Sequence, residues 1–97
     1  MPKYVLLINW TEQGIASVKE TVNRYEAAKQ LVESKGGTFD AIFWTQNPYD
    51  LVTVTKVPDE ETGTAINLQL GATGNLRTLT MRAFSEDEMK GIVAKMG

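Results

Sequence analysis

The stretch Tyr4-Val5-Leu6-Leu7-Ile8 is apolar at every position. In a strand the side chains alternate, so Tyr4, Leu6 and Ile8 share one side while Val5 and Leu7 share the other. Both sides need cover. Helices laid on one side of a small sheet hide a single face, so the second apolar face is expected to meet another copy of the chain.

Working outward, this first strand is expected over about Lys3 to Asn9. Thr11 is a suitable N-cap, and Ile15, Val18, Val22, Tyr25, Ala28 and Val32 recur at helical spacing, predicting one amphipathic helix from Thr11 to Lys35. Gly36-Gly37 ends it by supplying the left-handed residue that helix C-termini favour. A second strand follows over about Thr38 to Thr45, with Ile42 and Trp44 on one face and Phe39, Ala41 and Phe43 on the other. Gln46-Asn47-Pro48 reads as a turn, with Asn47 able to take a left-handed conformation. The third strand, about Tyr49 to Val57, is rich in Val and Thr and closes a hairpin.

Asp59 is the N-cap of a second helix running to about Thr73, with Glu60 and Glu61 at its positive end. A fourth strand spans about Leu76 to Phe84. Ser85-Glu86-Asp87-Glu88 has capping-box spacing and opens a terminal helix whose apolar stripe is Met89, Ile92, Val93 and Met96. The order is βαββαβ plus a helix. It predicts an α+β, ferredoxin-like fold for residues 1–97 as a single domain: an antiparallel sheet in strand order 4-1-3-2 with both long helices on one face.

Composition narrows the function classes. The chain has 97 residues, 42% of them hydrophobic and 23% charged, which suits one modest globular core. No segment reaches the roughly 18 apolar residues of a membrane span, and no signal core follows the N-terminus, so no membrane is expected and a cytoplasmic location is. The net charge is −2, and Arg24, Arg77 and Arg82 are dispersed, which argues against nucleic acid as a partner. With neither cysteine nor histidine, the chain lacks Cys-His and Ser-His nucleophilic machinery and the usual ligands of zinc, iron and copper. No metal and no cofactor is expected.

The segments Tyr4 to Thr11, Tyr49-Asp50-Leu51-Val52, and Gly74-Asn75-Leu76-Arg77-Thr78 leading to Arg82-Ala83-Phe84 resemble the GYD domain family of small bacterial and archaeal proteins. The resemblance implies a dimeric α/β barrel, in which two ferredoxin-like sheets face each other with helices outside. It brings no established activity. The glycine that gives the family its name is missing before Tyr49-Asp50, where Asn47-Pro48 stands.

Four residues are the candidate ligand-binding set: Asn9, Trp10, Trp44 and Tyr49. Asn9 would offer an amide and Trp10 a flat apolar wall at the end of the first strand, a setting typical of small-molecule pockets. The plainer alternative is that Asn9 ties down the turn and Trp10 is core. Trp44, with Phe43, would line a cavity for an aromatic molecule or serve as core and dimer contact. Tyr49 and Asp50 are adjacent and point apart in a regular strand, which weakens an acid-base dyad; Asp50 is otherwise a hairpin anchor. Arg77 and Arg82 also face opposite sides, each suited to an ion pair at a sheet end. The acidic clusters Asp59-Glu60-Glu61 and Glu86-Asp87-Glu88 are helix starts, and Gly71-Ala72-Thr73-Gly74-Asn75 lacks the lysine and setting of a phosphate loop. The expected function is a small homo-oligomeric binding or accessory protein with a cleft for a small apolar or aromatic molecule, its catalytic residues unknown. The alternative is a cofactor-independent monooxygenase or isomerase acting on an aromatic or quinol-like substrate.

Overall fold

In the computed structural model, which describes residues 1–97, the strand β1 (Lys3–Trp10) lies inside a four-stranded antiparallel sheet. Its neighbours are β3 (Leu51–Lys56) and β4 (Leu76–Ala83), and β2 (Thr38–Trp44) forms the far edge beside β3. The order β2-β3-β1-β4 is the expected 4-1-3-2 read from the opposite edge. Ile8 stands opposite Leu51 and Thr78, Leu6 opposite Thr53 and Thr80, and Tyr4 opposite Thr55 and Arg82. These residues form the covered face. Val5, Leu7, Val52, Val54, Leu79 and Met81 form the other, which no helix covers.

The covering layer is α2 (Thr21–Ser34) and α3 (Glu60–Gly71), which carry Val32 and Ile66 onto Val57 in one buried cluster. A second cluster, Leu6, Ile8 and Leu51, is separate from it. Asp59 caps α3 as expected, accepting from the Thr62 N–H at 2.7 Å, and Gly36 ends α2 at a φ of 85°.

The helix expected from Thr11 to Lys35 is broken. A short α1 (Glu12–Ala16) and a 3-10 turn over Val18–Glu20 precede α2. The break is held by Arg24, whose guanidinium donates to the Gly14 carbonyl and to Ser17 Oγ, both at 3.1 Å. The end of α1 is thus satisfied by a side chain further along the sequence, and the chain need not stay helical through Ser17. The buried stripe is correspondingly shorter: Ile15 and Val22 are exposed, and it begins at Tyr25.

Three further expectations are corrected. A register irregularity between Phe39 and Ala41 puts Phe39 opposite Thr55 on the covered face, with Ile42 and Trp44, because one extra residue reverses the alternation. The third strand starts at Leu51, later than the expected Tyr49. Asn47 has no left-handed conformation, and the Asn47–Pro48 peptide is cis. The loop is closed instead by Thr45, whose N–H donates to the Asp50 carbonyl at 2.8 Å and whose hydroxyl donates to the Tyr49 carbonyl.

The last helix, α4 (Glu86–Ala94), opens with the expected capping box between Ser85 and Glu88. Arg82 ties it to the sheet. Its guanidinium pairs with Glu88 at 3.6 Å, donates to the Lys3 and Ala83 carbonyls, and lies over the Phe84 ring at 4.6 Å. None of the α4 residues is buried.

Candidate functional site: an apolar cleft between sheet and helices

The two separate buried clusters leave a space between the covered sheet face and the pair α2 and α3. It forms a cleft of about 330 Å³ walled by members of both clusters. The floor is Leu6, Ile8, Leu51, Thr53 and Thr55, and the roof includes Tyr25, Ala28, Leu31 and Ile66. Tyr25 is set by edge-on contacts with Phe39 and Trp44, at 5.4 and 6.0 Å between ring centres.

The cleft is apolar with a few polar points, and two of these have no partner. Trp10 Nε1 and Thr53 Oγ1 are buried and make no hydrogen bond within the protein. Leaving such a group unbonded costs on the order of 1–3 kcal/mol. The single charged lining side chain, Arg24, is already committed to Gly14 and Ser17. No carboxylate, lysine, histidine or cysteine lines the cleft, and no group of three acidic, His or Cys residues comes close enough to hold a metal ion.

One end of the cleft is shaped by a stitched corner. Thr11 donates its N–H to the Asn75 carbonyl at 3.1 Å and its hydroxyl to the Gly74 carbonyl at 2.6 Å. Gln13 Nε2 donates to the Thr73 carbonyl and to Asn75 Oδ1. Thr73 and Asn75 line the cleft, so the segment set aside as a phosphate loop is a structural brace for α1.

Of the four residues singled out from sequence, Trp10 alone lines the cleft. Trp44 packs on the lining residue Tyr25 and donates from Nε1 to Thr21 Oγ1 at 3.0 Å, 40% exposed. Asn9 is opposite Arg77, a register that sets both on the uncovered face. Tyr49 sits in the loop before β3 and lies outside the cleft. Sequence reasoning missed Thr53, Thr55 and Tyr25. The available signal was Leu51-Val52-Thr53-Val54-Thr55, whose alternation is visible but does not say which face is covered.

A family model described as the GYD domain matches residues 4–93. The chain belongs to the GYD domain family. This GYD protein is 27% identical, over 84 residues, to a Thermus thermophilus protein named "Glutamine synthetase and cystathionine beta-lyase binding protein", covering 86% of this chain and 88% of that one. It also resembles the crystal structure of TTHA0845 from Thermus thermophilus, with a TM-score of 0.54 at 24% identity, over 88% of this chain and 95% of the other. That likeness speaks for the shared fold. No helix of this GYD protein is long and apolar enough to cross a membrane.

Proposed function

We propose that this protein is a small homo-oligomeric binding or accessory protein: it holds a small, mostly apolar molecule between sheet and helices, and it pairs with a second copy through the uncovered sheet face. The observation that carries the reading is the apolar cleft with two uncommitted polar atoms, since a few placed polar groups in an apolar wall characterise small-molecule sites. A role in contacting other proteins agrees with the name of the Thermus thermophilus relative, a binding protein of two enzymes.

The pairing is supported by the uncovered face itself. Leu79, Met81 and Phe43 are 56%, 45% and 63% exposed there, beside Val5, Leu7, Val52 and Val54. A continuous apolar surface of this kind marks an interaction site in soluble proteins. Self-association by a two-fold axis is the simplest way to cover it.

Binding is favoured over turnover by the lining, which offers tyrosine, threonine and amide groups and no carboxylate or other group poised to take a proton near neutral pH. Two measurements test the proposal. Purified protein mixed with anthrols or quinols should consume no oxygen and return the compound unchanged; sustained oxygen uptake would establish the enzyme alternative. Light scattering at low micromolar concentration should give a dimer mass, and a stable monomer would end the pairing.

A further inference from the structure

Strand β3 follows the buried Leu51 with two threonines on the covered face. Val52 and Val54 lie on the uncovered face, whereas Thr53 and Thr55 face the interior, 3% and 7% exposed. Val and Thr have nearly the same shape and both suit strands, so packing alone gives no reason for hydroxyls at these two positions. A buried hydroxyl without a partner is destabilising, and Thr53 Oγ1 has none. Trp10 Nε1, on the same covered face, is in the same condition.

The register gives their spacing. Thr53 stands opposite Leu6, and Trp10 is four residues beyond Leu6 along β1, so the two backbone positions are about 13 Å apart along the strand direction. Leu6, Ile8 and Leu51 make the floor between them apolar. The indole N–H can only donate, while the hydroxyl can donate or accept. A molecule that completes both therefore carries two separated polar groups on an apolar body, the one at Trp10 an acceptor oxygen. An anion is poorly served, since Arg24 is already bonded to protein groups and a buried charge without a free counter-charge is strongly penalised.

We propose that the cleft selects uncharged, mostly apolar molecules bearing a hydroxyl or carbonyl oxygen that Thr53 recognises, with the Trp10 N–H taking a second, distant acceptor oxygen where the molecule carries one. This rests on reading the cleft as a binding site. The test titrates 2-naphthol, naphthalene and 2-naphthoate into the full chain and into Thr53→Val and Trp10→Phe, following amide NMR signals of the lining residues and the melting temperature without ligand. In the unaltered protein 2-naphthol should bind about tenfold tighter than either of the others, the worth of one good hydrogen bond. Thr53→Val should shrink that preference to about threefold or less and raise the ligand-free melting temperature, whereas Trp10→Phe should leave the preference within about twofold. Naphthalene binding as tightly as 2-naphthol, or 2-naphthoate binding best, would overturn the selection while leaving a binding cleft. A lowered melting temperature for Thr53→Val would make the hydroxyl structural and also overturn it. If none of the three probes moves the lining signals, the cleft reading fails together with the inference.

Discussion

The carboxylate of Asp50 accepts a hydrogen bond from the backbone N–H of Trp10 at 2.9 Å, joining positions 40 residues apart. Asp50 also donates its own N–H to the Ile8 carbonyl at 2.9 Å, so the hairpin loop grips the end of β1 at two points. The loop thereby fixes the end of β1, where the Trp10 side chain lines the cleft. Asp50→Ala should cost about 1.5–3 kcal/mol, the range for a hydrogen bond to a charged group, measured by urea denaturation. Asp50→Asn, which keeps an acceptor, should recover at least half. Equal losses in both would mean that the Trp10 bond is not what Asp50 contributes.

Gly14 and Gly91 should respond in opposite directions to alanine. A Cβ at Gly14 would collide with the backbone carbonyl of Asn75, an atom held in place by Thr11. Gly14→Ala is expected to cost about 3 kcal/mol, the upper end of overpacking, because neither backbone can yield without breaking the corner. At Gly91, inside α4, nothing lies within 4 Å, so Gly91→Ala should stabilise the helix by about 0.5–1 kcal/mol. Thermal melts of the two variants check both signs.

Leu79→Asp places a charge at the centre of the uncovered sheet face, where Leu79 is opposite Leu7. With the proposed pairing through this face, it should give a monomer mass where the unaltered protein gives a dimer mass in sedimentation at micromolar concentration, with little change in far-ultraviolet circular dichroism. An unchanged mass would show that the face is not the contact.

Two helix caps should make the protein acid-sensitive. Asp59 is held below its ordinary value of 3.8 by the backbone N–H and hydroxyl of Thr62, and Glu88 below 4.5 chiefly by the N–H of Ser85. Folding depresses both values, so their contribution is complete above the ordinary values and is lost as pH falls through the lower folded ones. Stability should therefore decline below about pH 4.5, by an amount that Asp59→Asn, a neutral but competent cap, makes smaller. A pH series of urea midpoints for both proteins measures this.

The elements and caps were legible because each has a local cause, namely the apolar run at 4–8, Asp59 ahead of two glutamates, and Ser85 three residues before Glu88, and the strand order followed from the order of the elements. What was not legible came from contacts distant in sequence. The break after Ala16 depends on Arg24 and on the 73–75 corner, and the reversal at Phe39 depends on one extra residue facing β3. Trp10, chosen for its position at the end of an apolar strand, lines the cleft. Asn9 was placed beside it in sequence, yet neighbours on a strand face apart, and it is Trp10 that turns under the helices. Thr53 and Thr55 look like ordinary strand residues until the covered face is known.

The exposure of α4 has a consequence in time. A helix of nine residues with no buried side chain is shorter than isolated helices need to persist in water; its ion pair to the body is Arg82–Glu88, and only Ile92 is half-buried. Its amide protons should exchange with solvent by local opening, long before those of β1 and β3, whose protection reports the unfolding of the whole chain. The C-terminal segment thus behaves as a separately melting unit, and a truncation before Ser85 should leave the exchange rates of the central strands almost where they were.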